Sequence, residues 1–317
     1  MILTLTPNTG IDYTLVVPRF ELNTTIRSVG QAWGMGGKAT DAAWVLGKLG
    51  APVMALGFAA GSTGAQMEHM LHARGVSTDF VWVEGETRLN VVLVCADGSG
   101  QSTITSSSLQ VTQEHLEELQ TRYLAALDQA SCVVLGGSLP AGAPLELYPW
   151  AISQARRGGI PVIFDASGPA LRAGVQARPS LIKPNRDELA ELLGYRPASP
   201  PEIRQAALKL QEDYGTDVIA TLGSEGALAV IGEHTYRIPS VAVPISSSAG
   251  AGDGVLAGMA LALSRGEPPE NGLRQGFALA GAILQTPATA DFCSEAYQEL
   301  LSKVTILPFD PDERPGL

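Results

Sequence analysis

Residues 246–263 read SSSAGAGDGVLAGMALAL: Gly250, Ala251 and Gly252 run into Asp253 and then into an apolar, Ala-rich stretch. A turn of such small residues entering a helix exposes backbone N–H groups that have no intrahelical acceptor. With the helix dipole behind them they form a site for an anion such as a phosphate. The bare side chains let that anion come close to the backbone. Asp253, in the first helical turn, is placed to accept a proton from a hydroxyl held beside the anion. Charge stabilisation on a moving group and a base on its acceptor are what phosphoryl transfer from a nucleotide to an alcohol requires. An aspartate here also serves as an ordinary helix cap, and these residues alone leave both roles open.

Other glycine-rich chemistries fit less well. A dinucleotide-binding turn needs G-x-G-x-x-G, but Val255 stands where the third glycine belongs, and GMGGKA at 34–39 fails similarly. A P-loop ending at Gly37-Lys38 would need glycine at 32 and Ser or Thr at 39, and both positions are alanine. No G-x-S-x-G occurs, and the four histidines sit mostly in polar helical contexts. Cys95, Cys132 and Cys293 are far apart and form no CxxC or Cys/His cluster, so neither a disulfide scaffold nor a zinc site is expected.

The elements that must position the turn are visible as a rhythm. Apolar runs at 53–58, 132–137, 161–166 and 217–223 have strand length, and amphipathic runs at 112–130, 145–159 and 201–215 have helical spacing, with Thr112 and Ser199 near their N-caps. Continuous apolar strands alternating with helices imply an α/β fold, a mainly parallel sheet with helices on both faces. Residues 11–33 and 84–107 break the rhythm with β-prone, partly alternating segments. They read as a small β-sheet lid on a single domain spanning 1–317, and their edges and apolar faces suit a homodimer. A formal net charge of −11 argues against nucleic-acid or anionic-membrane partners. The N-terminus lacks a signal-peptide pattern and no apolar run is long enough to span a bilayer, so a cytoplasmic location is expected.

Five stretches together resemble the ribokinase-like carbohydrate kinases of the PfkB family: GMGGKATDAAWVLGKLG (34–50), GGSLPAG (136–142), KPNRDEL (183–189), TLGSEGAL (221–228) and SSAGAGDGVLAGM (247–259). They occur in the family's order and cover the chain to about residue 301. The resemblance is nearest to the branch that phosphorylates sugar phosphates such as fructose 1-phosphate, fructose 6-phosphate or tagatose 6-phosphate. It implies a ribokinase-like fold, ATP and Mg2+ as cofactors, and a sugar or sugar phosphate as the small-molecule partner. It also implies roles. Asp253 would be the base, with Gly250, Ala251 and Gly252 as the anion hole. Asn185 and Glu188 would organise magnesium through water, Lys183 would approach the ATP phosphates, and Thr221, Gly223 and Gly226 would border the nucleotide. Asp12, Gly36, Gly37 and Asp41 would hold sugar hydroxyls, while Arg27, Arg88, Asn90 and Ser138 would approach the sugar or its phosphate.

The chain departs from that branch at three positions. Asp41 stands where asparagine is usual, Ala39 where glycine is, and Thr25 where a lysine is common. An ionised aspartate only accepts hydrogen bonds, and it repels a nearby phosphate. The departures therefore keep a second reading open, a kinase of an unphosphorylated sugar, polyol or nucleoside. A third reading is a sugar- or nucleotide-binding member without catalysis.

Overall fold

The computed structural model describes residues 1–106 and 109–309. The last residue of the 84–107 stretch and the end of the 1–317 span therefore lie outside the described residues. The chain opens with β1 (Ile2–Asn8), followed by β2 (Gly10–Val17) and β3 (Gly30–Gly36). Next come α1 (Lys38–Lys48), β4 (Val53–Ala59), α2 (Gly61–Ala73) and β5 (Ser77–Trp82). Two more strands, β6 (Arg88–Cys95) and β7 (Gln101–Ile104), precede α3 (Gln113–Leu127). A regular alternation then runs through β8 (Cys132–Gly136), α4 (Leu147–Arg157), β9 (Val162–Asp165), α5 (Gly168–Gln176), β10 (Leu181–Ile182) and α6 (Arg186–Leu193). After α7 (Pro200–Tyr214) come β11 (Asp217–Thr221), β12 (Ala227–Ile231) and β13 (His234–Ile238). The chain ends in α8 (Ala251–Arg265), α9 (Pro269–Leu284), α10 (Ser294–Lys303) and β14 (Leu307–Pro308).

Ten of these strands form one sheet in the order β14-β13-β12-β11-β10-β9-β8-β1-β4-β5. From β11 to β5 every neighbouring pair is parallel, and β12, β13 and β14 close the other edge antiparallel. The strand periodicity explains the layers. In β1, Leu3 and Leu5 point into an apolar cluster shared with α3 to α7, whereas Ile2 points into one shared with α1, α2, α8, α9 and α10. Each fully buried Leu, Ile or Phe contributes roughly 1.5–3 kcal/mol, so both faces must be covered. No helix among the described residues is long and apolar enough to cross a membrane.

Local chemistry sets the helix ends. Thr112 accepts from the His115 N–H while its own N–H donates to the His115 ring, a capping box built with histidine. Ser199 caps α7 at Glu202 N, and Gly215 ends that helix in the left-handed conformation. On α8, a Cβ on Gly258 would stand 2.2 Å from Gly276 N of α9. That contact requires glycine, and it clamps α8 and α9 together.

The four remaining strands form a small separate sheet, ordered β3-β2-β6-β7. Here β2 is antiparallel to β3 and parallel to β6, and β7 is antiparallel to β6. The register places Asp12 opposite Asn90 and Gly34. This sheet follows directly from the end of β1, an interior strand of the large sheet. Its first residues therefore stand at the carboxyl ends of the parallel strands, where α/β sheets bind ligands.

Candidate active site

Gly250 carries the turn that opens α8. Its φ of 81° lies in the left-handed region, and a Cβ there would come 2.3 Å from Ala290 N. Only glycine meets both conditions. The turn starts α8 with no side-chain cap, so the N–H groups of Ala251 and Gly252 have no intrahelical acceptor. Asp253 follows in the first turn. It is buried, and its N–H donates to Gly250 O at 3.0 Å. Its carboxyl is pushed up to about 7 by burial and by Asp165, against the pull of Lys183 and Lys38.

A chain of charges lies beside this turn at the ends of β9 and β10. Lys38 Nζ donates to Asp165 Oδ1 at 2.6 Å and to Glu188 Oε1 at 3.0 Å, and Lys183 Nζ is 3.0 Å from Asp165 Oδ2. Burial alone would push the Asp165 carboxyl up, but Lys183 and Lys38 hold it below the usual carboxylate range. Burial likewise disfavours the Lys38 ammonium, yet Asp165 and Glu188 outweigh it and raise Lys38 above its ordinary value. A Cβ on Gly252 would sit 3.1 Å from Lys183 Nζ, so that ammonium stands against the α8 turn. Asn185 caps α6: its Oδ1 accepts from the Asp187 and Glu188 N–H groups, and Glu188 Oε2 accepts from Asn185 N, each at 2.9 Å.

Opposite this charge chain, the small sheet presents a second polar cluster. Asp12 Oδ1 accepts from Asn90 Nδ2 and Asp12 Oδ2 from Thr289 Oγ1, both at 2.8 Å. Burial raises the Asp12 carboxyl despite these bonds. Gly36 leaves room for the pair, since a Cβ there would stand 2.6 Å from Asp12 Oδ1. Arg88 donates through Nη2 to Asn8 O at 3.0 Å, and Asn8 Nδ2 donates to Ser138 Oγ at 3.0 Å. Burial lowers Arg88, which Asp12 and Asp41 oppose.

Asp41, in the first turn of α1, links the two clusters. Burial pushes its carboxyl well up, and Asp253 and Asp12 push the same way. The Asp41 and Asp253 carboxyls also interact with each other, which raises the first and lowers the second. Asn8 Oδ1, Asp41 Oδ1, Arg88 Nε and Asn90 Oδ1 are buried and have no hydrogen-bond partner among the described residues. Four such atoms in one cluster are a demand for a polar ligand.

Residues 8–296 match the pattern of the pfkB family carbohydrate kinases. The 1-phosphofructokinase of Borreliella burgdorferi is 32% identical over 279 residues, 88% of this chain and 90% of that protein. The chain belongs to the pfkB family of carbohydrate kinases. The tagatose-6-phosphate kinase of Staphylococcus epidermidis is 28% identical over 312 residues, covering 97% of this chain and 99% of that one. A crystal structure described as a possible 1-phosphofructokinase from Thermotoga maritima superposes with a TM-score of 0.88 at 26% identity, covering 98% of this chain and 99% of that one. Phosphofructokinase-2 of Escherichia coli, solved with substrates and products, gives 0.86 at 26% identity over 95% of this chain and 98% of that one. Arabidopsis thaliana ribokinase, at 23% identity and 0.75, shares the fold. The pfkB chain is thus a ribokinase-like phosphotransferase that acts on a sugar hydroxyl, and kinases of its family use ATP.

The structure of this pfkB kinase brings most of the singled-out residues together, but two stand apart. Arg27 lies on the exposed connection between β2 and β3 and forms no hydrogen bond or ion pair with the cluster among the described residues. Gly226 is buried against Ile238 and Pro239, where a Cβ would meet Ile238 O at 2.0 Å; it shapes the turn into β12. Thr221 and Gly223 do stand at the end of β11, with Thr221 bridged to Asn185. Sequence reasoning missed Lys38, Asp165, Asn8 and Thr289. A signal for Asp165 exists, a carboxylate closing a buried apolar strand in PVIFDA. For Thr289 there was none.

Proposed function

We propose that this pfkB kinase transfers the γ-phosphoryl group of ATP to a hydroxyl of a phosphorylated ketohexose. The supporting observation is Arg88. It is a mostly buried guanidinium whose Nε is unpartnered, in one cluster with Asp12, Asn90, Asn8 and Ser138, and joined through Asp41 to Asp253. A fork of that kind suits a phosphate oxygen pair. The named relatives act on such substrates.

In this reading Asp12, Asn90 and Gly36 seat the sugar, with Gly37 and Asp41 beside its hydroxyls, and Asp253 takes the proton of the attacking hydroxyl. A new bond forms from that oxygen to the γ-phosphorus as the bond to the bridging oxygen of ADP breaks. The N–H groups of the α8 turn and the Lys183 ammonium carry the charge that builds on the moving group. Thr221 and Gly223 border the nucleotide.

Magnesium fits the residues present. Each Glu188 oxygen accepts one hydrogen bond and keeps acceptor capacity, whereas Asn185 Oδ1 already accepts two. Glu188 would therefore hold the waters of the ion while Asn185 holds Glu188, and the bound ion would neutralise phosphate charge. A cytoplasmic location and a homodimer formed through the small sheet complete the reading.

Asp41 favours a second reading, an unphosphorylated sugar or polyol, because Asp12 and Asp41 already face Arg88 with opposite charge. A coupled-ADP assay over fructose 1-phosphate, fructose 6-phosphate, tagatose 6-phosphate, fructose, ribose, inositol and nucleosides separates the two. The phosphosugar reading expects turnover on one of the first three, with Arg88→Ala raising its KM at least tenfold and leaving the KM for ATP within about threefold. Turnover confined to unphosphorylated acceptors overturns it.

A further inference from the structure

We propose that Gln101 is a positioning residue that ties the acceptor-bearing small sheet to the phosphoryl cradle of α8. Gln101 opens β7, which among the described residues pairs only with β6, and its register partner Val94 lies on the same strand as Arg88 and Asn90. Its side chain reaches out of the sheet. Gln101 Oε1 accepts from Ser247 Oγ at 3.1 Å and from the Ser248 N–H at 3.0 Å, and Ser247 Oγ accepts in turn from the Ala249 N–H at 3.2 Å. The three residues that immediately precede Gly250 are thus organised around one oxygen of the small sheet, and Ser247 is buried beneath it.

On its other side the same segment is fixed to the end of α9. The N–H groups of Ser246 and Ser247 donate to Leu284 O, and Ser246 Oγ donates to Gln285 O. The second loop under the cradle has a matching tie. Thr289, next to the Ala290 that packs on Gly250, donates to Asp12 of β2. The small sheet therefore holds both loops beneath the α8 turn, one through Asp12 and one through Gln101. Asp12 belongs to the proposed sugar site. Gln101 touches none of the reacting groups in that reading.

The inference rests on the kinase reading above. In that reading the sheet carries the hydroxyl and the α8 turn carries the phosphoryl group, so their relative placement decides whether the γ-phosphorus is attacked by the sugar or by water. Misplacement of about 1 Å costs such a reaction on the order of 10²-fold. Two hydrogen bonds onto one amide oxygen are enough to bias that placement.

The test measures ADP, inorganic phosphate and phosphorylated sugar together in the full-length protein, with whichever acceptor the panel identifies. Gln101→Ala is expected to lower kcat about tenfold, to leave both KM values within about threefold, and to raise inorganic phosphate per phosphorylated sugar several-fold. Gln101→Glu keeps an acceptor oxygen in place, so its ratio should stay near that of the wild type. A Gln101→Ala protein with wild-type kcat and coupling overturns the proposal, and so does equal leakage from Gln101→Glu. Should Gln101→Ala not fold, Ser247→Ala removes the middle hydroxyl and should leak in the same direction; unchanged coupling there also overturns it. Wild-type protein that phosphorylates no acceptor sinks the kinase reading and this inference with it, whereas competent wild type with a tight Gln101→Ala sinks only the latter.

Discussion

A buried carboxyl titrating near 7 at the start of α8 must be ionised before it can accept a hydroxyl proton. Transfer should therefore fall as pH drops below about 7, approaching tenfold per unit, as read from kcat against pH. Asp253→Asn is expected to bind ATP but to lose at least ~10²-fold in kcat. The same substitution has a stability consequence of opposite sign. The folded-state value of Asp253 lies above the ordinary carboxylate range, so folding favours its protonated form. That contribution is fully present below about pH 4 and is lost as pH rises through about 7. Asparagine escapes this loss. Asp253→Asn should melt at a higher temperature than wild type at pH 8, with the gap closing toward pH 5. A variant that loses heat stability at pH 8 would show instead that the ionised Asp253 carboxylate stabilises the fold through Lys183 and Lys38.

The α8 turn works as a unit with the loop at 286–291. Gly250→Ala would force a side chain into the left-handed region, costing roughly 1–2 kcal/mol, and press a methyl onto the Ala290 backbone. Loss of more than about tenfold in kcat with little change in acceptor KM is the expected outcome, measured by steady-state kinetics. At this scale much was legible in the sequence. The apolar runs became β4, β8, β9 and β11 within a residue or two, and Thr112 and Ser199 do cap α3 and α7. The glycine turn before Asp253 was also readable, because cap, turn and first-turn acid are neighbours in sequence. What could not be read was any bond that only topology closes. Lys38 meets Asp165 across 127 residues, and Thr289 meets Asp12 across 277. No local spacing encodes either. Arg27 shows the converse: a residue type suited to a phosphate sits on an exposed connection, apart from the cluster.

The outward face of the small sheet has no cover among the described residues. Trp33 stacks on Tyr13 with ring centroids 4.4 Å apart, and Trp33, Leu89 and Ile104 are each more than a third exposed. Light scattering should find a homodimer that Trp33→Glu reduces to monomers; a monomeric wild type would refute the pairing. A different consequence follows from the place of β1. That strand lies inside the large sheet, third from the β5 edge, with Ile2 paired to Val53 on one side and to Cys132 on the other. Its second neighbour is synthesised about 130 residues later. Until then Leu3 and Leu5 wait with an open edge, so the nascent chain carries a sticky apolar segment through much of translation. Refolding of the denatured protein should accordingly be slow, with a yield that falls as protein concentration rises.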